Sequence, residues 1–397
     1  MRILILTTEY ESFLKWHYLR SPHLATASYA EQFAARVETL FGGADFYSRN
    51  FRAMGHDAEE IFVNNIWLQT AWAREHGIAA PDAPAPERAS SKADSELLMT
   101  LKRRLQPLRG ILTPLARRLG YAIALSSVEL RILRAQIEEM NPDVILNQIP
   151  DILTSTFLNS LRRPGRVIIA QHGNHPPANF DPSPYNFGIA IVPSIVESFR
   201  AAGLQTEYVH LAFDPSVLER LPPAPSKDIP VSFVGGLSSN HARRIELLET
   251  VAREMPVELY LSSFKGIPAN SPLHSCVRGE VWGRDMYDIL RRSKITLNSH
   301  VDAAGGVAAN MRLYEATGVG TFLLTDNLRD LDKLFSPGTQ VGTYDSPADC
   351  VAKIRYYLSH DAEREAIARA GQVQTLTYHT YRQRMQELIG LIAKYAL

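Results

Sequence analysis

The sequence predicts an α/β protein of two doubly wound halves, each a parallel sheet covered by helices. Three observations predict it. Short apolar runs alternate with helical stretches along most of the chain, the pattern of parallel strands joined by crossover helices. The alternation stops at a proline-crowded stretch and then restarts. The length, 397 residues, exceeds the roughly 150 residues of a usual domain.

The elements follow in chain order. Arg2 to Thr7 is a β-rich apolar run suited to a strand buried on both faces. Helical stretches from Tyr29 to Leu40 and from Ala44 to Met54 precede a strand at Ile61 to Val63. Later strand runs are Val144 to Leu146, Val167 to Ala170, Ile189 to Val192 and Tyr208 to Leu211, with helices such as Leu153 to Leu161 and Ile195 to Ala202 between them. Pro215, Pro222, Pro223, Pro225 and Pro230 then mark a linker over residues 214–229. Val231 to Gly236 opens the second half, followed by a helix from His241 to Glu254 and strands at Val257 to Leu261, Lys294 to Leu297 and Thr321 to Leu324. Helices near Asp361 to Gly371 and Tyr381 to Tyr395 close the chain. The domains expected are therefore 1–214 and 215–377.

Two stretches break this order. Ala79 to Ser91, rich in Pro, Ala and Ser, reads as an exposed loop. After it Leu101, Leu105, Leu108, Leu112, Leu115 and Leu119 recur at spacings of four and three, among Lys102, Arg103, Arg104, Arg109, Arg117 and Arg118. We prefer to read residues 97–125 as a core-facing helix with a basic solvated side, kinked by Pro107, Gly110 and Pro114. The alternative is peripheral contact with an anionic membrane or a lipid-linked acceptor.

Composition excludes more than it names. Equal numbers of basic and acidic residues, 42 each, argue against a nucleic-acid partner, which needs an excess of Lys and Arg. Two cysteines, Cys276 and Cys350, exclude a disulfide scaffold and a Cys-rich zinc site. With no apolar run long enough to span a bilayer and no signal-like start, the expected location is cytoplasmic.

In a doubly wound sheet, ligands bind beyond the carboxyl ends of the strands. The first such place is Gly235-Gly236, just ahead of the His241 to Glu254 helix; glycines admit a ligand to the backbone and free N–H groups at a helix start attract phosphate. Arg243 and Arg244 sit in that helix's first turn, where cations oppose the helix dipole unless an anion lies between them. An ordinary tight turn with surface arginines explains the same residues. The second place is Asn298-Ser299-His300, then a loop of Ala and Gly leading to Asn310-Met311-Arg312-Leu313-Tyr314-Glu315. Arg312 and Glu315, three apart, share a helical face, as a surface ion pair or as a guanidinium on a diphosphate beside a carboxylate on a ribose. In the first half, His172 and His175 follow the Val167 to Ala170 run, where a histidine can bind a sugar hydroxyl or act as a base. Glu9, after the first strand, is a candidate to face an acceptor. Asp330-Leu331-Asp332 imitates a metal-binding DxD but falls in helical pattern, where positions two apart diverge. His300 and Asp302 are two metal-ligand types, too few to define a site.

Val231-Ser-Phe-Val-Gly-Gly236, Trp282-Gly-Arg-Asp-Met-Tyr287, Asn310-Met-Arg-Leu-Tyr-Glu-Ala-Thr-Gly-Val-Gly320 and Asp45-Phe-Tyr-Ser-Arg-Asn50 together resemble bacterial GT-B glycosyltransferases of the CgeB-like group. That resemblance implies two Rossmann-like domains facing a cleft, an acceptor-side domain followed by a nucleotide-sugar domain, with the last helix, 378–397, packed back on the first. It implies that Glu315 binds the donor ribose, that Gly235 and Gly236 border the diphosphate with Arg244 and Arg312 neutralising it, and that Trp282 and Gly283 lie near the nucleobase. His300 and Asn310 complete the expected binding set, and His172 is the expected catalytic residue. No cofactor or metal is implied; the donor is a nucleoside-diphosphate sugar, the acceptor a glycan, lipid-linked molecule or protein. A retaining reaction follows from the resemblance, although the second Glu common eight positions before the ribose Glu is Val307 here. A sugar-nucleotide epimerase of the same fold and a non-catalytic sugar-nucleotide-binding protein are the rival readings.

Overall fold

The computed structural model describes residues 1–86, 125–177, 179–223, 226–237, 241–264, 267–300 and 306–395. The chain divides into two compact units: Met1–Glu38, Ala44–Val209 and Ile389–Leu397 form one, Thr39–Gly43 and His210–Leu388 the other.

The first unit is built on a six-stranded parallel sheet of β1 (Arg2–Thr7), β2 (Asp57–Phe62), β3 (Val144–Asn147), β4 (Val167–His172), β5 (Phe187–Ala190) and β6 (Thr206–Tyr208), in the order β2-β1-β3-β4-β5-β6. Ile3 lies opposite both Ala58 and Val144, and Ile3 to Leu6 are buried, as a strand covered on both faces requires. At the end of the chain Tyr395 stacks on Phe187 at 4.9 Å between ring centroids, and Lys394 pairs with Glu207 at 2.9 Å.

The second unit repeats the plan with β7 (Ile229–Leu237), β8 (Glu258–Phe264), β9 (Val277–Gly279), β10 (Ser293–Leu297), β11 (Phe322–Asp326) and β12 (Gly342–Tyr344), in the order β12-β11-β10-β7-β8-β9, all parallel. Its core gathers Phe233, Leu259, Leu297 and Leu324 from the strands with Leu248 and Val251 of the helix Ala242–Glu254 and Ile354 of the helix Pro347–Ser359. Two doubly wound parallel sheets are the architecture the sequence predicts.

The boundaries shift for local reasons. β2 starts at Asp57, before the apolar run, because Ala58 is buried while Asp57 and Glu59 face out. The run ending at Val192 leaves the sheet at Ala190; Val192 precedes a helix that opens with Pro193, whose fixed φ suits a first helical position. The proline-crowded linker contains a short helix, Ser216–Arg220. Helices Glu11–Arg20, Ile66–Glu75 and Ser127–Met140 come in addition to those expected. The last carries a capping box, Ser126 with Glu129, which is a legible start signal. Residues 79–86 form no regular structure. The basic stretch 97–125 lies outside the described residues apart from Leu125, as does Asp302. No helix among the described residues is long and apolar enough to cross a membrane.

Candidate functional site

Parallel strands bring every carboxyl end of the second sheet to one edge, and most of the expected residues meet there. Near its end β7 passes through Gly235 and Gly236, between which its pairing with β8 slips, and it stops at Leu237. A Cβ at Gly235 would press to 3.2 Å from the Phe233 ring. Arg244, buried in the first turn of the helix Ala242–Glu254, donates to the Gly236 carbonyl at 3.0 Å and to the Ser299 carbonyl at 2.6 Å. It thereby ties the end of β7 to the segment after β10.

That segment fixes the next helix. Asn298 donates to Thr325 Oγ1 at 3.0 Å and accepts from Asn310 Nδ2 at 2.9 Å. Asn310 in turn accepts the Leu313 N–H, capping the helix Met311–Gly318 and satisfying one of its open donors. The helix then presents Arg312 and Glu315 one turn apart, at 2.9 Å. Glu315 is only 7% exposed, so the pair is not a surface one. Burial raises its carboxyl above the ordinary value, and the Arg312 guanidinium opposes that rise. Arg312 also donates to the Val234 carbonyl at 3.2 Å and touches Met286 Sδ at 3.1 Å. Holding a carboxylate in such a place costs desolvation, so the pair is poor evidence for stability.

Met286 belongs to the helix Gly283–Arg292, which starts at the same sheet edge. Gly283 has φ +51°, and a Cβ there would lie 1.9 Å from the Thr39 carbonyl oxygen, which accepts the Arg284 N–H at 2.8 Å. Trp282, 6% exposed, sits edge-on to Phe41 at 4.7 Å and donates its indole N–H to Glu280. Its ring is therefore packed within the unit.

His300 follows β10 and faces Asp326, the last residue of β11. Nδ1 of His300 lies 2.7 Å from Asp326 Oδ1, and the His300 N–H reaches Oδ2 at 3.1 Å. Burial, the largest influence, pushes the Asp326 carboxyl up, but hydrogen bonds from His300 and Thr325 hold it below its ordinary value. Sequence reasoning missed Asp326. The rule that residues ending a strand are informative would have found it had it been applied to the run at Thr321 to Leu324.

The DxD imitation resolves structurally. Asp330 accepts the Ala308 N–H at 2.9 Å and precedes a short 3-10 helix, Leu331–Lys333. Val307 is buried. Among the described residues no group of three or more His, Cys, Asp or Glu is placed to hold a metal ion.

The first unit holds the remaining candidates. His172 ends β4 with Nε2 at 2.7 Å from an Asp151 carboxylate oxygen, and its side chain is 11% exposed. His175 Nδ1 meets Ser198 Oγ at 2.6 Å. Glu9 is enclosed against Arg36, closed off as a surface for an acceptor. The second unit thus unites Gly235, Gly236, Arg244, Trp282, Gly283, His300, Asn310, Arg312 and Glu315, while His172 belongs to the other unit.

Residues 243–390 match the model of a family described as Glycosyl transferase-like. Among curated proteins no match was found. Solved structures share the whole architecture at low identity. A glycosyltransferase from Rickettsia africae superposes with a TM-score of 0.55 and 10% identity, covering 99% of this chain and 98% of its own. HepE of Anabaena, in complex with UDP-glucose, gives 0.55 and 12% identity over 99% of this chain and 100% of its own. Sucrose-phosphate synthase from Thermosynechococcus elongatus gives 0.54 and 10% over 99% and 98%. The chain has the GT-B fold of two Rossmann-like domains, and its second half is similar to the Glycosyl transferase-like family.

Proposed function

We propose that this protein is a glycosyltransferase that moves a sugar from a nucleoside-diphosphate donor to a glycan, lipid-linked or protein acceptor. The observation that carries the proposal is the buried Arg312–Glu315 pair on a helix whose cap, Asn310, is tied into the strand ends beside Gly235 and Gly236. A carboxylate with two oxygens suits the two hydroxyls of a ribose, and the glycine-bordered strand end suits a diphosphate. HepE of Anabaena, a structural neighbour, was crystallised with UDP-glucose, which supports a nucleotide-sugar donor.

In this reading Arg244 and Arg312 stabilise the diphosphate as its bond to the sugar breaks, with backbone N–H groups adding to the field. The protein supplies this charge, so the reading assigns no step to a metal. We place acceptor recognition in the first unit, with His172 the candidate to bind or deprotonate an acceptor hydroxyl. A retaining outcome rests on the resemblance alone, with Val307 where a second carboxylate is common.

The test is incubation with UDP-, GDP- and dTDP-hexoses, with and without a panel of oligosaccharide and lipid-linked acceptors. Release of nucleoside diphosphate that depends on acceptor is the expected result. An epimerised sugar from donor alone would assign the protein to the epimerases. Tight donor binding without turnover on any acceptor would make it a binding protein.

A further inference from the structure

We infer that His300 and Asp326 form the corner of the donor site that reads the sugar: Nε2 of His300 accepts a hydrogen bond from a hydroxyl of the transferred hexose, and Asp326 sets the ring that presents it. The inference rests on the nucleotide-sugar reading of the second unit.

Three observations carry it. The first is position. His300 follows β10 and Asp326 ends the neighbouring strand β11, on the sheet edge that also holds Gly236, Arg244 and Asn310. The adjoining Ser299 carbonyl takes the Arg244 guanidinium, and the nearby Asn298 side chain takes the cap of the Glu315 helix.

The second is orientation. Asp326 holds residue 300 at two points, through the backbone N–H and through Nδ1, and Thr325 Oγ1 donates to the same carboxylate at 3.0 Å. The carboxylate can only accept, so Nδ1 carries the hydrogen between them. In the arrangement we infer the ring is neutral, and Nε2 keeps its lone pair.

The third is that this lone pair is stranded. His300 is 7% exposed, yet among the described residues its Nε2 has no hydrogen-bond partner. A buried acceptor without a donor is unfavourable, and a ligand hydroxyl would satisfy it. Two ligand chemistries fit this position less well. A phosphate oxygen would meet a lone pair and, close by, the Asp326 carboxylate, both repulsive. A metal would find this pair alone, since no group of three ligand-type residues exists among those described. A sugar offers hydroxyl donors, which is what two acceptors require. Asp326 is the positioning residue here, acting through His300.

Calorimetric titration of the full chain with UDP, GDP and dTDP, and with the glucose and mannose conjugates of each, tests the assignment. Wild type is expected to bind one conjugate more tightly than its diphosphate. His300→Ala should weaken the conjugate about tenfold and leave the diphosphate within about twofold, since one hydrogen bond to the sugar is lost. His300→Gln, whose amide places an acceptor near the position of Nε2, should recover part of the loss. Asp326→Ala should weaken the conjugate in the same selective way. Equal losses for conjugate and diphosphate, no loss for either, or a wild-type conjugate no tighter than its diphosphate would overturn the inference. Binding of the diphosphate by each variant reports that the site is still folded. Failure of wild type to bind any of the nucleotides is a different result; it removes the donor-site reading, and this inference with it.

Discussion

The two units bury charged groups near the ends of their strands in different settings. In the first, Glu9 after β1 meets Arg36, whose guanidinium lies 4.8 Å from the Phe13 ring and 4.7 Å from the Phe62 ring. The two side chains are 2% and 3% exposed, so carboxylate and guanidinium neutralise each other inside an aromatic clamp. Tyr18 donates to Asn65 and Gln32 in the same interior. In the second, Arg244 is held by the carbonyls of Gly236 and Ser299, while Arg312 both pairs with Glu315 and donates to the Val234 carbonyl. A carbonyl takes an N–H group without cancelling the charge behind it. Burial of an ion pair therefore says little about function by itself. What distinguishes the second unit is that its arginines are anchored to main chain at glycine-bordered strand ends, beside a capped helix start.

The comparison breaks most readily at Glu9. If that pair is structural, Glu9→Ala leaves a buried guanidinium without its partner and should cost about 3–5 kcal/mol in urea-induced unfolding. A loss under about 1 kcal/mol would mean that Arg36 finds water or another ligand, and the first unit would then hold a site too.

Glu60 sharpens the same contrast through pH. This β2 carboxylate accepts the Ser48 N–H at 2.7 Å and is 4% exposed, and burial pushes its pKa up to about 7. A carboxyl whose folded value is raised binds its proton more tightly in the folded state. Its contribution to stability is thus complete below the ordinary value of 4.5 and is lost as pH rises through about 7. That loss is on the order of 3 kcal/mol. Glu60→Gln should flatten the decline between pH 5 and about 8, measured by denaturant unfolding at each pH. An unchanged pH profile would show that Glu60 is not the group responsible.

The smallest effect expected is at Asn310. Asn310→Ala removes a helix cap and a bond to Asn298 and should cost about 1 kcal/mol of stability. If this cap positions Arg312 and Glu315, nucleotide affinity should fall alongside it. Lost stability with intact affinity would separate the helix start from the site.

The sequence displays the sheets well because strands buried on both faces are almost continuous apolar runs, as at Ile3 to Leu6 and Val231 to Val234. It hides β9 and β12, three residues each, because so short a run has no period to read. The site was legible where one segment carries it: Asn310, Arg312 and Glu315 lie within six residues, and helical spacing alone puts the last two on one face. It was illegible where two strands carry it. His300 and Asp326 are 26 residues apart and meet only because β10 and β11 pair after a helical crossover. Glu9 and Arg36 are 27 apart and are joined by packing between a strand end and a helix, which composition cannot show. At Trp282 the motif was visible but its use was not, because the contact with Phe41 depends on how Thr39–Gly43 packs on the helix start.

Titration of UDP, GDP and dTDP into the wild-type protein and into Glu315→Gln is the most direct measurement. The glutamine keeps an acceptor for Arg312 while removing the charge offered to a ribose, so the fold should hold. The expected result is one preferred nucleotide for the wild type and an affinity at least about tenfold weaker in the variant, with both proteins giving a cooperative melting transition. Equal affinity in the two folded proteins would contradict the placement of a nucleotide on the Glu315 helix.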